Sequence, residues 1–146
     1  MKYTDRLIPE LKTLQEKREA LENIPEKIKI LEMRYSALRS SRTDAEPLSG
    51  SSISRREDDM IGNIAERDAL QGDYEVTERE VNWLESALHT LTDAEQLVLD
   101  RAYINRRNGY IDLLCDELGY EKTRVYEIRN HALIKLARTL FGQVKL

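Results

Sequence analysis

An all-α fold, a long antiparallel helical hairpin followed by a small helix-turn-helix domain, is predicted by three features of the sequence. Apolar side chains recur at helical spacing along two stretches of similar length, Gly and Pro number only six and three in 146 residues, and a short-helix, turn, basic-helix pattern lies near the end. Sandwiches and barrels need a turn-former roughly every eight to twelve residues, far more than this chain supplies. Charged residues make up 34% and aromatic residues 6%, so the core is thin and the surface large. The length allows one compact domain, or a small domain with an elongated helical arm. The arm is placed at residues 1–90 and the head at residues 91–146.

In the arm, Leu7, Leu14, Leu21, Ile28 and Tyr35 recur every seven residues, with Ile24, Leu31 and Leu38 three positions later. That is the a/d seam of a packed helix. Glu10 and Lys17 hold the second seam position in the first two heptads, so pairing is expected to fray at the amino end. Pro25 removes a backbone donor and crowds the preceding turn, which predicts a kink or a restart with Asn23 as cap. Residues 43–54 contain Pro47, Gly50 and four Ser and read as a flexible connector at which the chain reverses. A second helical pattern spans residues 55–90, with Met60, Ile64, Tyr74, Val81 and Leu88 on one stripe, widened by Trp83, Leu84, Ala87 and Leu91. Gly62 and Gly72 each weaken it by roughly 1 kcal/mol relative to Ala, or mark close helix packing. Two helices bury little by themselves, so their remaining apolar edge is expected to pack on another copy, giving a homodimer or higher homo-oligomer through residues 1–90; the competing reading is a monomeric helical stalk whose charge runs are solvated faces.

The head opens with Thr92-Asp93-Ala94-Glu95, a capping box in which the Thr hydroxyl and the Glu carboxylate each accept a backbone N–H of the other. The helix that follows turns Leu97, Val98, Ala102 and Tyr103 inward and stops at Asn105-Arg106-Arg107-Asn108-Gly109, where Asn and Gly are expected to supply left-handed conformations. Tyr110 to Leu118 forms a short helix with Ile111, Leu114, Cys115 and Leu118 on one face, closed by Gly119. Thr123 to Leu140 forms a longer one with Val125, Ile128, Ala132, Leu133, Leu136 and Leu140 inside. Short helix, Gly-containing turn and longer basic helix make a helix-turn-helix.

Charge supports a nucleic-acid role for this end alone. The chain is net −4, but from Gly119 onward six basic residues face two acidic ones. The outward face of the last helix displays Lys122, Thr123, Arg124, Tyr126, Glu127, Arg129 and Asn130. Arg can donate twice to guanine, Asn can pair with adenine, Glu can accept from cytosine and Lys can neutralise phosphate. A plain amphipathic helix whose cations complement its own dipole is the competing reading.

These residues also carry a resemblance. The run Leu91-Thr92, Glu95, Val98-Leu99, Tyr103, Leu114-Cys115, Leu118-Gly119-Tyr120, Val125, Ile128, Ala132-Leu133, Lys135-Leu136 resembles the C-terminal, promoter-reading region of sigma-70-type sigma factors. With its charged helical front half, the chain is also similar to phage-borne ArpU and RinA late-gene regulators of Gram-positive bacteria. The resemblance implies a sequence-specific DNA-binding regulator of phage or prophage transcription, with Lys122, Thr123, Arg124, Tyr126 and Glu127 at the positions that contact duplex DNA. Glu121 stands where that family places a Ser or Thr cap, which implies a differently set first turn, and Tyr126 stands where it often carries a basic residue, which implies a DNA sequence other than the ordinary promoter element. Two rival readings use the same features: a small-terminase-like phage packaging protein, and an adaptor gripping RNA polymerase or another regulator without DNA.

Other chemistry finds little support. Cys115 is the sole cysteine and His89 and His131 the only histidines, too few for the usual four-ligand zinc site. Cys115 is expected to be a buried free thiol, His131 to pack or face phosphate, and His89 to act as a helix-end cation. Asp58 and Asp59 point in different directions on a helix and have no oxygen-ligand loop beside them. Neither a metal, a cofactor nor enzymatic activity is expected. With no apolar run of membrane-spanning length and no signal-peptide block, the expected compartment is the bacterial cytoplasm.

Overall fold

The computed structural model describes residues 3–41 and 50–142. They fold as α1 (Tyr3–Ser41), α2 (Gly50–Leu88), α3 (Asp93–Leu99), which continues as a π-helical turn over Asp100–Ile104, α4 (Tyr110–Leu118) and α5 (Lys122–Phe141). The fold is all-α, and the two long helices pair antiparallel. By compactness the chain forms two units, one from the described residues of Met1–Arg18 and Arg79–Leu146, the other from Glu19–Glu78.

The first unit holds most of the core. Leu7, Leu11 and Leu14 are completely buried, together with Val81, Leu84, Ala87, Leu88 and Leu91 of the second strip and Val98, Leu99, Leu114, Val125, Ala132 and Leu136 of the head. The expected fraying at the amino end is therefore overturned. Leu11 is buried where the Glu10 register left the seam empty, and this segment belongs to one compact unit with the head as well as with the end of α2. Polar ties flank it: Lys17 Nζ lies 3.0 Å from Glu80 Oε2, and Arg18 Nε donates to Glu85 Oε1 at 2.6 Å. Phe141 stacks on Tyr3 at 5.7 Å and meets Trp83 edge-on at 5.8 Å between ring centroids.

The second unit has a much thinner interior. Among its described residues only Leu31 and Asn63 are buried, while Ile30, Met33, Ile61, Ile64 and Val76 are exposed. Asn63 Nδ2 donates to the Leu31 carbonyl at 2.8 Å, its Oδ1 accepts from Arg67 Nε at 2.9 Å, and the Arg67 guanidinium lies 5.0 Å from the centroid of the Tyr35 ring. A buried amide satisfied on both sides thus ties the two helices where apolar packing is sparse.

Several local expectations change. The helix is unbroken through Asn23 and Pro25, so Asn23 caps nothing. One lost donor costs about 3 kcal/mol, which the flanking turns of a 39-residue helix offset. The connector is shorter at its far side, because α2 begins at Gly50 and takes in residues 50–54; residues 42–49 lie outside the described residues. Gly62 and Gly72 have no atom within 4 Å of where a Cβ would stand, so neither permits a close helix approach within the chain. Gly72→Ala should therefore stabilise the protein by about 1 kcal/mol, read as a higher urea midpoint at unchanged m-value.

Candidate nucleic-acid interface

The head is built from its caps inward. Thr92 sits in extended conformation before α3, Glu95 N donates to Thr92 Oγ1 at 3.2 Å, and Thr92 N donates to Glu95 Oε1 at 3.1 Å. The capping box is present as read. After α3 the chain widens into the π-helical turn, closed by Asn105 N donating to the Asp100 carbonyl at 2.8 Å. Asn105 itself has φ −117°, and no described residue other than Gly takes positive φ. The reversal is made by Gly109 alone, at φ 70°, with Gly119 at φ 72° ending α4. Tyr103 is half-buried, as is Cys115, which lines the core formed by Val98, Leu114, Val125 and Ile128 without being sealed inside it.

Glu121 is the N-cap of α5 and makes no side-chain capping bond. The first two turns of α5 follow with Val125 and Ile128 buried and Lys122, Thr123, Arg124, Tyr126, Glu127 and Asn130 all exposed. Six of the seven residues read from the sequence thus stand on one open face, because buried positions spaced three and four apart pin the opposite stripe to α3 and α4. That face is held by weak surface contacts. Lys122 Nζ lies 3.4 Å from Asp112 Oδ1, Arg124 Nη1 lies 3.5 Å from Glu127 Oε2, and the Arg124 guanidinium is 5.9 Å from the centroid of the Tyr120 ring. Exposed pairs of this kind are worth under about 1 kcal/mol, so a phosphate or base edge can displace them.

Arg129, the seventh, is half-buried. Its Nη1 donates to Tyr110 Oη at 3.0 Å, its Nε and Nη2 donate to Asn130 Oδ1 at 3.4 and 3.3 Å, and its guanidinium covers the Tyr126 ring at 4.9 Å. It joins α5 to the start of α4 and orients the two neighbours that face outward. Tyr103 lies near the same group: burial raises its hydroxyl above the ordinary value, and Arg129 and Arg106 oppose that rise.

A second tie, not visible in the sequence, holds α5 to α3. Glu95 is buried; its Oε1 accepts from Lys135 Nζ at 3.4 Å, and His131 Nδ1 stands 3.6 Å from Oε2, which has no hydrogen-bond partner. A groove of about 700 Å³ runs beside these groups, bordered by Tyr120, Arg124, Glu127 and Asn130. Burial works to raise the Glu95 carboxyl, but hydrogen bonds from Thr92 and Lys135, with the Lys135 charge, outweigh it and hold the group below its ordinary 4.5. A carboxyl that binds its proton less tightly in the fold contributes fully above that value and less as pH falls through its lower folded value. Glu95→Gln should therefore cost about 1 kcal/mol at neutral pH and flatten the acid limb of stability, checked by urea melts from roughly pH 7 down to pH 3.

Among the described residues no group of His, Cys, Asp and Glu could hold a metal ion, and no helix is long and apolar enough to cross a membrane. No family model, curated protein or solved structure matches the chain.

Proposed function

We propose that the protein is a sequence-specific, double-stranded-DNA-binding regulator of transcription that acts as a homo-oligomer. One observation carries this reading: the first two turns of α5 bury Val125 and Ile128 and leave Lys122, Thr123, Arg124, Tyr126, Glu127 and Asn130 exposed together. A helix with such a face, carried on a helix-turn-helix, fits a major groove and offers donors and acceptors to base edges. The resemblance to sigma-type promoter readers and to phage-borne ArpU and RinA regulators supports phage or prophage genes as the target.

The exposed Ile30, Met33, Ile61, Ile64 and Val76 support assembly of copies through the arm, since so thin a helix pair gains from further apolar burial. One head neutralises few phosphates. Two tethered heads bind the second half-site at high effective concentration. Selection of bound sequences from random duplex DNA tests the whole reading: a recovered motif with repeated or inverted half-sites is the expected result. Failure to enrich any sequence at low salt would remove it and favour the adaptor reading, in which the head grips RNA polymerase or another regulator.

A further inference from the structure

The loop before α4 carries two cations for which the base-reading face has no use. Asn105, Arg106, Arg107 and Asn108 are all exposed, yet the backbone beneath them is braced. Asn105 N and Nδ2 donate to the Asp100 carbonyl and to Asp100 Oδ1, both at 2.8 Å, Arg107 N donates to the Arg101 carbonyl at 3.3 Å, and Tyr110 N donates to the Arg107 carbonyl at 3.2 Å. The segment links the π-helical turn over Asp100–Ile104 to the start of α4, and π-helical turns recur at functional sites. Arg101 is already matched with Asp100 at 2.8 Å, whereas Arg106 and Arg107 have no carboxylate partner among the described residues. The backbone is fixed, and among the described residues neither guanidinium group is matched by a carboxylate, Arg106 acting on the Tyr103 hydroxyl.

Their position relative to α5 follows from Tyr110. Its N–H is bonded to the Arg107 carbonyl and its hydroxyl accepts from Arg129, in the second turn of α5. The loop therefore adjoins the flank of the helix face described above. In a helix-turn-helix the first motif helix crosses the sugar-phosphate backbone. Here that helix, α4, exposes Asp116 and Glu117 in its second half, which repel a strand there, whereas Asp112 in its first turn is matched by Lys122 at 3.4 Å, so its amino-terminal loop is the attractive end. Resting on the DNA reading, we propose that Arg106 and Arg107 form a second, sequence-independent contact that grips the phosphate strand beside the groove entered by α5. Arginine suits this role because its planar fork can donate two bonds to one phosphate.

The test uses the full chain and two labelled duplexes, one carrying the selected motif and one of mixed sequence, titrated over a range of salt. Each phosphate contact contributes about 0.9 to the slope of log K against log salt. The Arg106→Ala, Arg107→Ala double variant should lose about 2 from that slope and weaken by the same factor on both duplexes, while Arg106→Lys, Arg107→Lys keeps the slope. Helicity by circular dichroism should be unchanged, since both side chains are in solvent. An unchanged slope in the Ala variant overturns the inference and leaves the DNA reading standing. A loss confined to the selected duplex also overturns it, by making the loop a base reader. Absence of binding by the wild-type chain at low salt overturns both.

Discussion

On the proposed DNA-binding function, Arg124→Ala is expected to weaken binding to the selected DNA site about 5- to 150-fold, the equivalent of about 1–3 kcal/mol for a lost bidentate base contact. Binding to mixed-sequence duplex should change much less, so the variant loses discrimination rather than general affinity. The reason lies in the site. Arg124 is exposed on the first turn of α5 and tethered only by the Glu127 pair at 3.5 Å and the Tyr120 ring at 5.9 Å, so it can exchange those partners for guanine without disturbing the core. Lys122→Ala is the matched control: a compact cation paired with Asp112 at 3.4 Å should act through phosphate, weakening both duplexes alike and lowering the salt slope by about 1. Fluorescence anisotropy on the two duplexes separates the cases. Equal losses from Arg124→Ala would place that residue on the backbone, and no loss on either would take it out of the interface.

Leu11→Ala should destabilise the protein by about 2–5 kcal/mol, the range for truncating a fully buried Leu. Leu11 has no exposed surface and lies in the compact unit that contains α3, α4 and α5. Its loss should therefore lower the stability of the head although the two are some eighty residues apart in sequence. Trp83, the only Trp, belongs to the same unit and touches Phe141 of α5, so its fluorescence reports that unfolding directly. If the Trp83 transition stays at the wild-type urea midpoint while far-ultraviolet circular dichroism shifts, the amino-terminal segment does not support the head as described. Removal of residues 1–18 should have a still larger effect, leaving much of the unit's apolar surface uncovered.

Much of this architecture was legible because it depends on short-range order. The Thr92–Glu95 box, the Gly119 helix end and the buried stripe of Val125, Ile128, Ala132, Leu133 and Leu136 are each set by neighbours within about two helical turns, the distance over which hydrophobic period and capping chemistry act. The exposed face of α5 follows directly, since a helix that buries one stripe presents the other. The π-helical turn was not legible, because it needs no special residue type and the one-residue shift it makes in the apolar register falls in the last turn of its helix, with too few residues after it to show a new period. Pro25 misled for a related reason. Its local penalty is real, but the helix that carries it is long and is held by contacts on both sides of the defect.

Residue type and spacing alone determined that this chain is helical, that it ends in a helix-turn-helix, and which side chains of the last helix face outward. Only the tertiary structure decided that Leu7, Leu11 and Leu14 are buried in one compact unit with that motif, that Glu95 reaches forty residues ahead to Lys135, and that Arg129 is tied to Tyr110 while Arg106 and Arg107 have no carboxylate partner among the described residues. The physical reason is range. Helix period and capping are settled between residues a few positions apart, whereas burial and charge pairing depend on which distant segments the folded chain brings within a few ångströms.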